Sequence, residues 1–457
     1  MEQRREEAEA RLAAYGQEHL LRFYDELSGD SRRQLLDQVL QLDLERIRSI
    51  WEQASVKKEE DAFAAAGISP IPAYAWDELS DREKQSYTEA GWRLLREGKA
   101  GAIVVAGGQG SRLGYDGPKG TYDIGLPSCK SFFQLQAERL INLTERAGQA
   151  IPWYIMTSPA NHDETVRFFE QANYFGLRSA DCFFFTQGVM PALDAEGKIL
   201  LAAKDQISLA PSGNGDCFAA LRRSGALVDM KRRGLTWLYY YNVDNALVKV
   251  ADPLFLGMAA SHSHPAAAKA AEKSGPEEQV GVLCMKSGRP AVVEYTVIPE
   301  AMKHATDRQG KLLYGLGNLS MQAFRLDFIE KFAEAELPYA MAHKRISFID
   351  PTGRLVVPEQ PNAFKFERFI FDFFSLADNI TVLKVKREEE FAPVKNKEGE
   401  DSPETARRLV FDLHRKWLLA AGVPAELIGD RPIEISPLDS YSGEGLTDDV
   451  VRKLLQQ

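Results

Sequence analysis

The sequence is short of the features that mark secreted, membrane-embedded or sulfur-stapled proteins. It has four cysteines in 457 residues, Cys129, Cys182, Cys217 and Cys284, widely spaced and with no C-x-x-C pair. That argues against a disulfide framework or a zinc site and for a reducing compartment. No apolar run reaches the roughly 18 residues of a membrane span. The opening MEQRREEAEA has no apolar signal core, so a cytoplasmic protein without a membrane partner is expected. Positive charge is in deficit, with 56 Lys and Arg against 66 Asp and Glu and a net charge of −10. This argues against a broad nucleic-acid surface, although a local basic pocket can sit in an acidic protein. No G-x-S-x-G elbow occurs, and no Ser, Cys or His stands out as a nucleophile. His262 and His264 are two residues apart, off any shared helix face, and suggest no third ligand, so they are not read as a metal pair.

What is present is the composition of a globular protein, 44% hydrophobic and 27% charged, in a chain longer than one core usually serves. Residues 1–98 are predicted to form a helical region. Leu20, Leu21, Phe23, Tyr24 and Leu27 make an apolar stripe at helical spacing. Ser31 with Gln34, and Ser80 with Glu83, read as capping boxes, and 68–76, with Pro70 and Pro72, reads as extended. Residues 99–380 alternate strands (102–106, 153–157, 181–185, 237–243) with helices (131–148, 162–171, 216–225, 228–234). The prediction is an α/β fold, a mostly parallel sheet with helices on both faces. Segments 280–285 and 291–295 alternate as antiparallel strands do. Residues 381–457 read as a small C-terminal region: the end of a strand at 380–385, a mobile polar loop at 387–402, a helix at 403–421, then one short strand and a terminal helix.

The most informative stretch is VVAGGQGSRLGYDGPK, residues 104–119. An apolar strand that stops in glycines delivers backbone amides to an anion, and Arg112 and Lys119 add fixed charge. The dinucleotide fingerprint fails because Leu113 stands at its third glycine; the kinase-type loop fails because Lys119 follows Pro118 and precedes Gly120. A second cluster, PSGNGD at 211–216, precedes an apolar helix. A uracil edge offers two carbonyl acceptors and one N–H donor, which the amides of Gln187 and Asn214 with backbone groups at Gly213 suit. Asp244, in YNVDN at the end of an aromatic strand, is a metal or phosphate-site candidate, with a capping role as the alternative. Lys365 in FKFERF faces either solvent or a ligand, and Lys395 in PVKNKEG falls in the polar loop. Glu294, Tyr295 and Asn318 suit sugar hydroxyls or turns.

VVAGGQGSRLGYDGPKG followed by YDIGLPSCKSFFQLQAERL closely resembles the signature of eukaryotic-type UDP-N-acetylglucosamine pyrophosphorylases. So do QGVMPALDAEGKI, PSGNGD, NVDNALVKVADP, VVEYT, GNLS, FKFERFIFD and EISPLDSYSGEGL, in order over nearly the whole chain. The resemblance implies a Rossmann-like nucleotidyltransferase core with an N-terminal helical region and a small C-terminal region. It implies that UTP and a sugar 1-phosphate give a UDP-sugar and pyrophosphate with Mg²⁺, the sugar being N-acetylglucosamine. The alternatives are a UDP-glucose or broad-specificity pyrophosphorylase, or a non-catalytic UDP-sugar sensor. It assigns nucleotide contacts to Ala106, Gly107 and Gly108, and phosphate handling to Arg112 and Lys119. Uracil falls to Gln187, Gly213 and Asn214, and the metal-site Asp is Asp244. Gly281, Glu294, Tyr295 and Asn318 take the sugar, and Lys365 and Lys395 are further phosphate-binding lysines. Departures are Asp216, where the family usually has glycine, and Asn242, where it often has cysteine. Animal members continue past SYSGEGL into a larger C-terminal domain, so no oligomeric state is carried over.

Overall fold

A computed structural model describes residues 1–60 and 67–455. The chain divides into two compact units. The larger comprises Ala64–Thr186, Cys217–Ala335 and Phe371–Gln457; the smaller comprises Met1–Phe63, Gln187–Asp216 and Glu336–Ile370.

The larger unit is built on an 11-stranded sheet. Its main strands are β1 (Ala100–Val105), β2 (Trp153–Thr157), β3 (Cys182–Thr186), β4 (Trp237–Asn242), β5 (Ala266–Glu272), β6 (Val282–Lys286), β7 (Arg289–Val293), β8 (Leu316–Arg325) and β9 (Thr381–Lys384). The main path runs Tyr74–Ala75, β9, β5, β8, β4, β1, β2, β3, and along it only β8 is antiparallel to its neighbours. The expected antiparallel pair is β6–β7, joined to β8 through Val282 opposite Gly317. The aromatic run of β4 follows from burial on both faces, which requires an apolar residue at every position. Tyr239 and Tyr241 lie in one core with Trp153 and Phe255, while Tyr240 packs toward Phe324.

From β1 the chain steps outward through β2 and β3 and returns to β4 on the other side of β1. Ligands of open α/β sheets bind beyond the carboxyl ends of the strands at such a reversal. Val105 pairs with Asn242 here, so the loops after β1 and β4 begin side by side.

Local signals place most helices. Phe132–Ala147 starts at Ser131, whose side chain accepts from Gln134 N, and ends at left-handed Gly148. Asp81–Arg96 opens on the Ser80–Glu83 capping box. Four expectations need correction. The helix expected from Ser31 begins at Gly29, because Ser28 is the residue in extended conformation that caps it. The stripe from Leu20 to Leu27 forms two 3-10 turns, Glu18–Leu21 and Tyr24–Glu26, rather than a regular helix. The loop at 387–402 contains a helical turn, Arg387–Glu390, and a buried run, Phe391 to Val394. No strand follows Ile433 among the described residues: Ile435 N donates to Nδ1 of buried His414, which takes that backbone out of any ladder.

The smaller unit also departs from the boundaries expected at 98 and 380. Leu12, Leu20, Phe23, Leu35, Leu36 and Val39 bury themselves against Leu193, Ile199, Leu201, Ile207, Phe364 and Phe366. Gln17 bonds both Gly197 O and Ile199 N. The first helices therefore complete a core with two distant insertions, while residues 67–98 and 381–455 belong to the large sheet unit. Among the described residues no helix is long and apolar enough to cross a membrane.

Candidate active site

At the end of β1, Ala106 N still donates to Met156 O, 2.7 Å away. The chain then folds back on itself, with Lys119 N to Gly108 O at 3.0 Å and Gly110 N to Gly117 O at 2.9 Å. Asn161, buried at 1% exposure, braces the turn from below: its Nδ2 donates to Ala106 O at 2.9 Å and to Gly108 O at 3.3 Å. Both polar groups of Ala106 are therefore engaged, while the N–H groups of Gly107 and Gly108 have no partner among the described residues. Gly108 is exposed, and a Cβ added there would meet nothing within 4 Å. Adjacent free amides at an open turn suit an anion.

At the end of this turn, Lys119 Nζ lies 2.7 Å from Asp244 Oδ2, with side-chain exposures of 16% and 20%. That is enough access for either group to reach a ligand. Arg112 is exposed and has no ion-pair partner among the described residues.

Asp244 is in turn tied to the segment that carries Lys395. Val394 N donates to Asp244 O at 2.9 Å, and Ala246 N to Ala392 O at 3.0 Å. Between them sits Asn245, 4% exposed, whose Nδ2 donates to Glu390 O at 2.8 Å and whose Oδ1 accepts from Ala392 N at 2.9 Å. Glu390 is anchored below by the fully buried Lys269, which also bonds Asp252. Burial opposes the Lys269 charge, but the two carboxylates overcome it and raise its pKa above the ordinary value. Lys395 follows this pinned run directly; its Nζ lies 3.2 Å from Asp401 Oδ2 and its side chain is 46% exposed.

Three of the sugar candidates converge. Asn318 N donates to Gly281 O at 2.8 Å, and a Cβ on Gly281 would stand 3.0 Å from Glu294 Oε1. Burial raises the pKa of the Glu294 carboxyl above its ordinary value. Asn318 Oδ1 accepts from Ser320 N at 3.2 Å, leaving Nδ2 for another partner. Tyr295 lies at the surface, 37% exposed.

The remaining candidates belong to the smaller unit. The side-chain amide of Gln187, a buried residue, makes no hydrogen bond among the described residues. Ser212 holds the neighbouring Gly188 O through both its N, at 3.0 Å, and its Oγ, at 2.9 Å. Gln187 and Gly213 are thereby brought together. Asn214 Oδ1 accepts from Ile370 N at 3.0 Å, so its Nδ2 is the group left for a base. Lys365 lies in the strand Ala363–Glu367, opposite Ala342, with no ion-pair partner among the described residues. Sequence reasoning missed Asn161, Asn245 and Lys269. Only Lys269 carries a local signal, as a lysine flanked on both sides by alanines in the strand AAAKAAE.

Residues 48–415 match the family described as UTP–glucose-1-phosphate uridylyltransferase. The chain is 41% identical to UDP-N-acetylglucosamine diphosphorylase 2 of Arabidopsis thaliana over 95% of its length and 90% of the relative's. It is 37% identical to UDP-N-acetylglucosamine pyrophosphorylase of Saccharomyces cerevisiae over 94% of each chain. Its structure resembles that of the uridine diphosphate N-acetylglucosamine pyrophosphorylase of Trypanosoma brucei, solved with an inhibitor. The TM-score is 0.86 and the identity 29%, with 99% of this chain and 96% of that one covered.

Proposed function

The chain belongs to the UTP–glucose-1-phosphate uridylyltransferase family, and we propose that it joins UTP to N-acetylglucosamine 1-phosphate, forming UDP-N-acetylglucosamine and pyrophosphate. The observation that carries this reading is the Lys119–Asp244 pair at the sheet's reversal point, with Lys119 on the same turn whose Gly107 and Gly108 amides have no partner among the described residues. The choice of sugar follows the relatives, which are named for N-acetylglucosamine although the family description names glucose 1-phosphate.

The reaction needs no protein nucleophile. An oxygen of the sugar 1-phosphate attacks the α-phosphorus of UTP; a P–O bond forms there as the bond to the β-phosphate oxygen breaks, and pyrophosphate leaves with the electron pair. The attacking phosphate is already ionised at neutral pH, so no proton has to be removed from it. Two anions must meet, so charge neutralisation and alignment carry the catalysis. Lys119 and Arg112, with the Gly107 and Gly108 amides, offset charge on the departing pyrophosphate. Lys395 holds the attacking phosphate, and Lys365 binds a nucleotide phosphate. Gln187, Gly213 and the Nδ2 of Asn214 read the uracil edge. Glu294 and Asn318 accept from and donate to sugar hydroxyls, with Gly281 leaving room for the ring and Tyr295 closing over it.

Mg²⁺ fits the donor set. Such an ion is commonly held by one or two carboxylates, with phosphate oxygens and water completing the shell. Asp244 Oδ2 is taken by Lys119, while Oδ1 has no hydrogen-bond partner among the described residues. Asp244 is therefore the residue that would hold Mg²⁺, and the ion would supply further neutralisation of the phosphates.

The test is pyrophosphate release with UTP and Mg²⁺, comparing the 1-phosphates of N-acetylglucosamine, N-acetylgalactosamine, glucose and galactose. Fastest release with N-acetylglucosamine 1-phosphate is expected. A preference for glucose 1-phosphate would overturn the sugar assignment, and no release with any of the four would overturn catalysis in favour of a UDP-sugar sensor. Omitting Mg²⁺ should abolish release.

A further inference from the structure

The family's second glycine block usually ends in glycine, and here it ends in Asp216. The structure gives that residue a specific place. Asp216 is 2% exposed, and both of its carboxylate oxygens are engaged. Oδ1 accepts from Arg368 Nη2 at 2.6 Å, and Oδ2 accepts from the backbone N–H of Gly188, also at 2.6 Å. Arg368 is itself buried, with a side chain 8% exposed lying 5.0 Å from the ring centre of Tyr339.

One carboxylate thus joins three segments of the smaller unit. Gly188 follows Gln187; Asp216 ends the loop that carries Gly213 and Asn214; Arg368 begins the segment whose Ile370 N holds Asn214 Oδ1. The backbone closes the same knot, with Arg368 N to Ser212 O at 2.9 Å and Gly215 N to Arg368 O at 2.8 Å. A buried ion pair adds little net stability, because desolvation consumes much of the attraction, yet removing one partner leaves a costly lone charge. What it does supply is a fixed geometry: a planar guanidinium donor and a backbone donor meet the carboxylate along set directions.

We propose that Asp216 and Arg368 are positioning residues for base recognition, holding Gln187, Gly213 and Asn214 in the arrangement that distinguishes uracil from cytosine. This rests on the uridine reading of that loop. Cytosine replaces the carbonyl acceptor at C4 with an amino donor and the N–H at N3 with a lone pair. Discrimination between the two therefore depends on donors and acceptors held in register, and a shift of about 1 Å is enough to cost large factors.

The experiment compares UTP with CTP in pyrophosphate release for four proteins: wild type, Asp216→Asn, Arg368→Lys, and the double variant Asp216→Gly with Arg368→Met. The double variant removes both charges and so leaves neither stranded, which keeps the test open if Asp216→Asn folds poorly. The expected result is an increase of about tenfold in KM for UTP and a comparable fall in the UTP-over-CTP ratio of kcat/KM. KM for the sugar 1-phosphate and kcat should move less than about threefold in Asp216→Asn and in the double variant, and Arg368→Lys should retain part of the selectivity. A double variant as selective as wild type overturns the proposal, as does a loss of thermal stability with unchanged selectivity in the single variants. A wild-type enzyme with no preference for UTP would instead sink the uridine reading itself.

Discussion

The two glycine-rich loops look alike in sequence, yet Gly108 in the first and Gly213 and Gly215 in the second are glycines for opposite reasons. In the first, a Cβ at Gly108 would meet nothing within 4 Å, and the backbone donors of Gly107 and Gly108 have no partner among the described residues. In the second, a Cβ at Gly215 would lie 2.6 Å from Arg368 C and Phe369 N, and one at Gly213 would press on the Arg368 carbonyl. At Gly108 the first loop is small so that a ligand can approach, although Gly110 and Gly117 of the same loop are small because Tyr115 would lie 2.6 Å and 2.9 Å from a Cβ there. The second is small so that another stretch of the same chain can approach, and its ligand-facing groups are what remain after that packing. Glycine count alone therefore does not mark a ligand cradle; the partners of its backbone amides do.

The strongest way to test the first half of this contrast is Lys119→Ala. The lysine stands against the open loop and is paired with a partly exposed Asp244, so its loss should leave the fold intact. Turnover should fall by about 10²–10³-fold, the scale of removing one preorganised donor from a developing charge. Pyrophosphate release and a thermal melt check both statements; near-normal kcat would take Lys119 out of the mechanism.

Next in size is a matched pair of alanine substitutions. Gly215→Ala should destabilise folding by about 1–3 kcal/mol, because rigid backbone would have to shift. Gly108→Ala should stay within about 0.5 kcal/mol of wild type but raise KM for UTP, since the new methyl occupies the approach to the free amides. Urea denaturation and steady-state kinetics decide the pair. Equal stability losses at the two sites would erase the distinction drawn between the loops.

A smaller effect is expected one layer behind the first loop. Asn245→Ala removes two hydrogen bonds to the segment leading to Lys395, at about 1–3 kcal/mol of stability for the groups left unpaired. Displacing Lys395 should lower kcat by about tenfold with little change in KM for UTP. Asn245→Asp keeps an acceptor for Ala392 N but buries a carboxylate oxygen against Glu390 O, so it should be at least as disruptive as alanine.

How much of this was readable in the sequence follows from the range of each contact. The turn from Ala106 to Lys119, the aromatic β4 and the Ser80 and Ser131 caps are written in neighbouring residues, and local sterics and burial enforce them. Asn245 and Ala392 are 147 residues apart, and Asp216 and Arg368 are 152 apart. Nothing near either residue announces its partner. The same limit explains the domain boundaries: a core assembled from three separated segments has no composition step at its edges. The buried run Phe391 to Val394 was hidden by flanking charge, since Glu388, Glu389 and Glu390 precede it and Lys395 and Lys397 follow.

The smallest effect is expected at Arg112, and it tests whether the open loop works by built contacts or by field alone. Arg112 is exposed and unpaired among the described residues, so its interaction with a phosphate is a solvent-screened one. Exposed ion pairs contribute about 0.2–1 kcal/mol, a factor of about 1.4 to 5 in KM for UTP on Arg112→Ala. That factor should shrink toward one as salt is raised, because the Debye length falls from about 10 Å at 0.1 M to about 3 Å at 1 M. The Lys119→Ala defect, at a group only 16% exposed, should persist at the same salt. A salt-independent Arg112 effect of more than about tenfold would mean that the guanidinium is held against the phosphates as a desolvated donor. The loop would then close around its ligand rather than stand open as it does here.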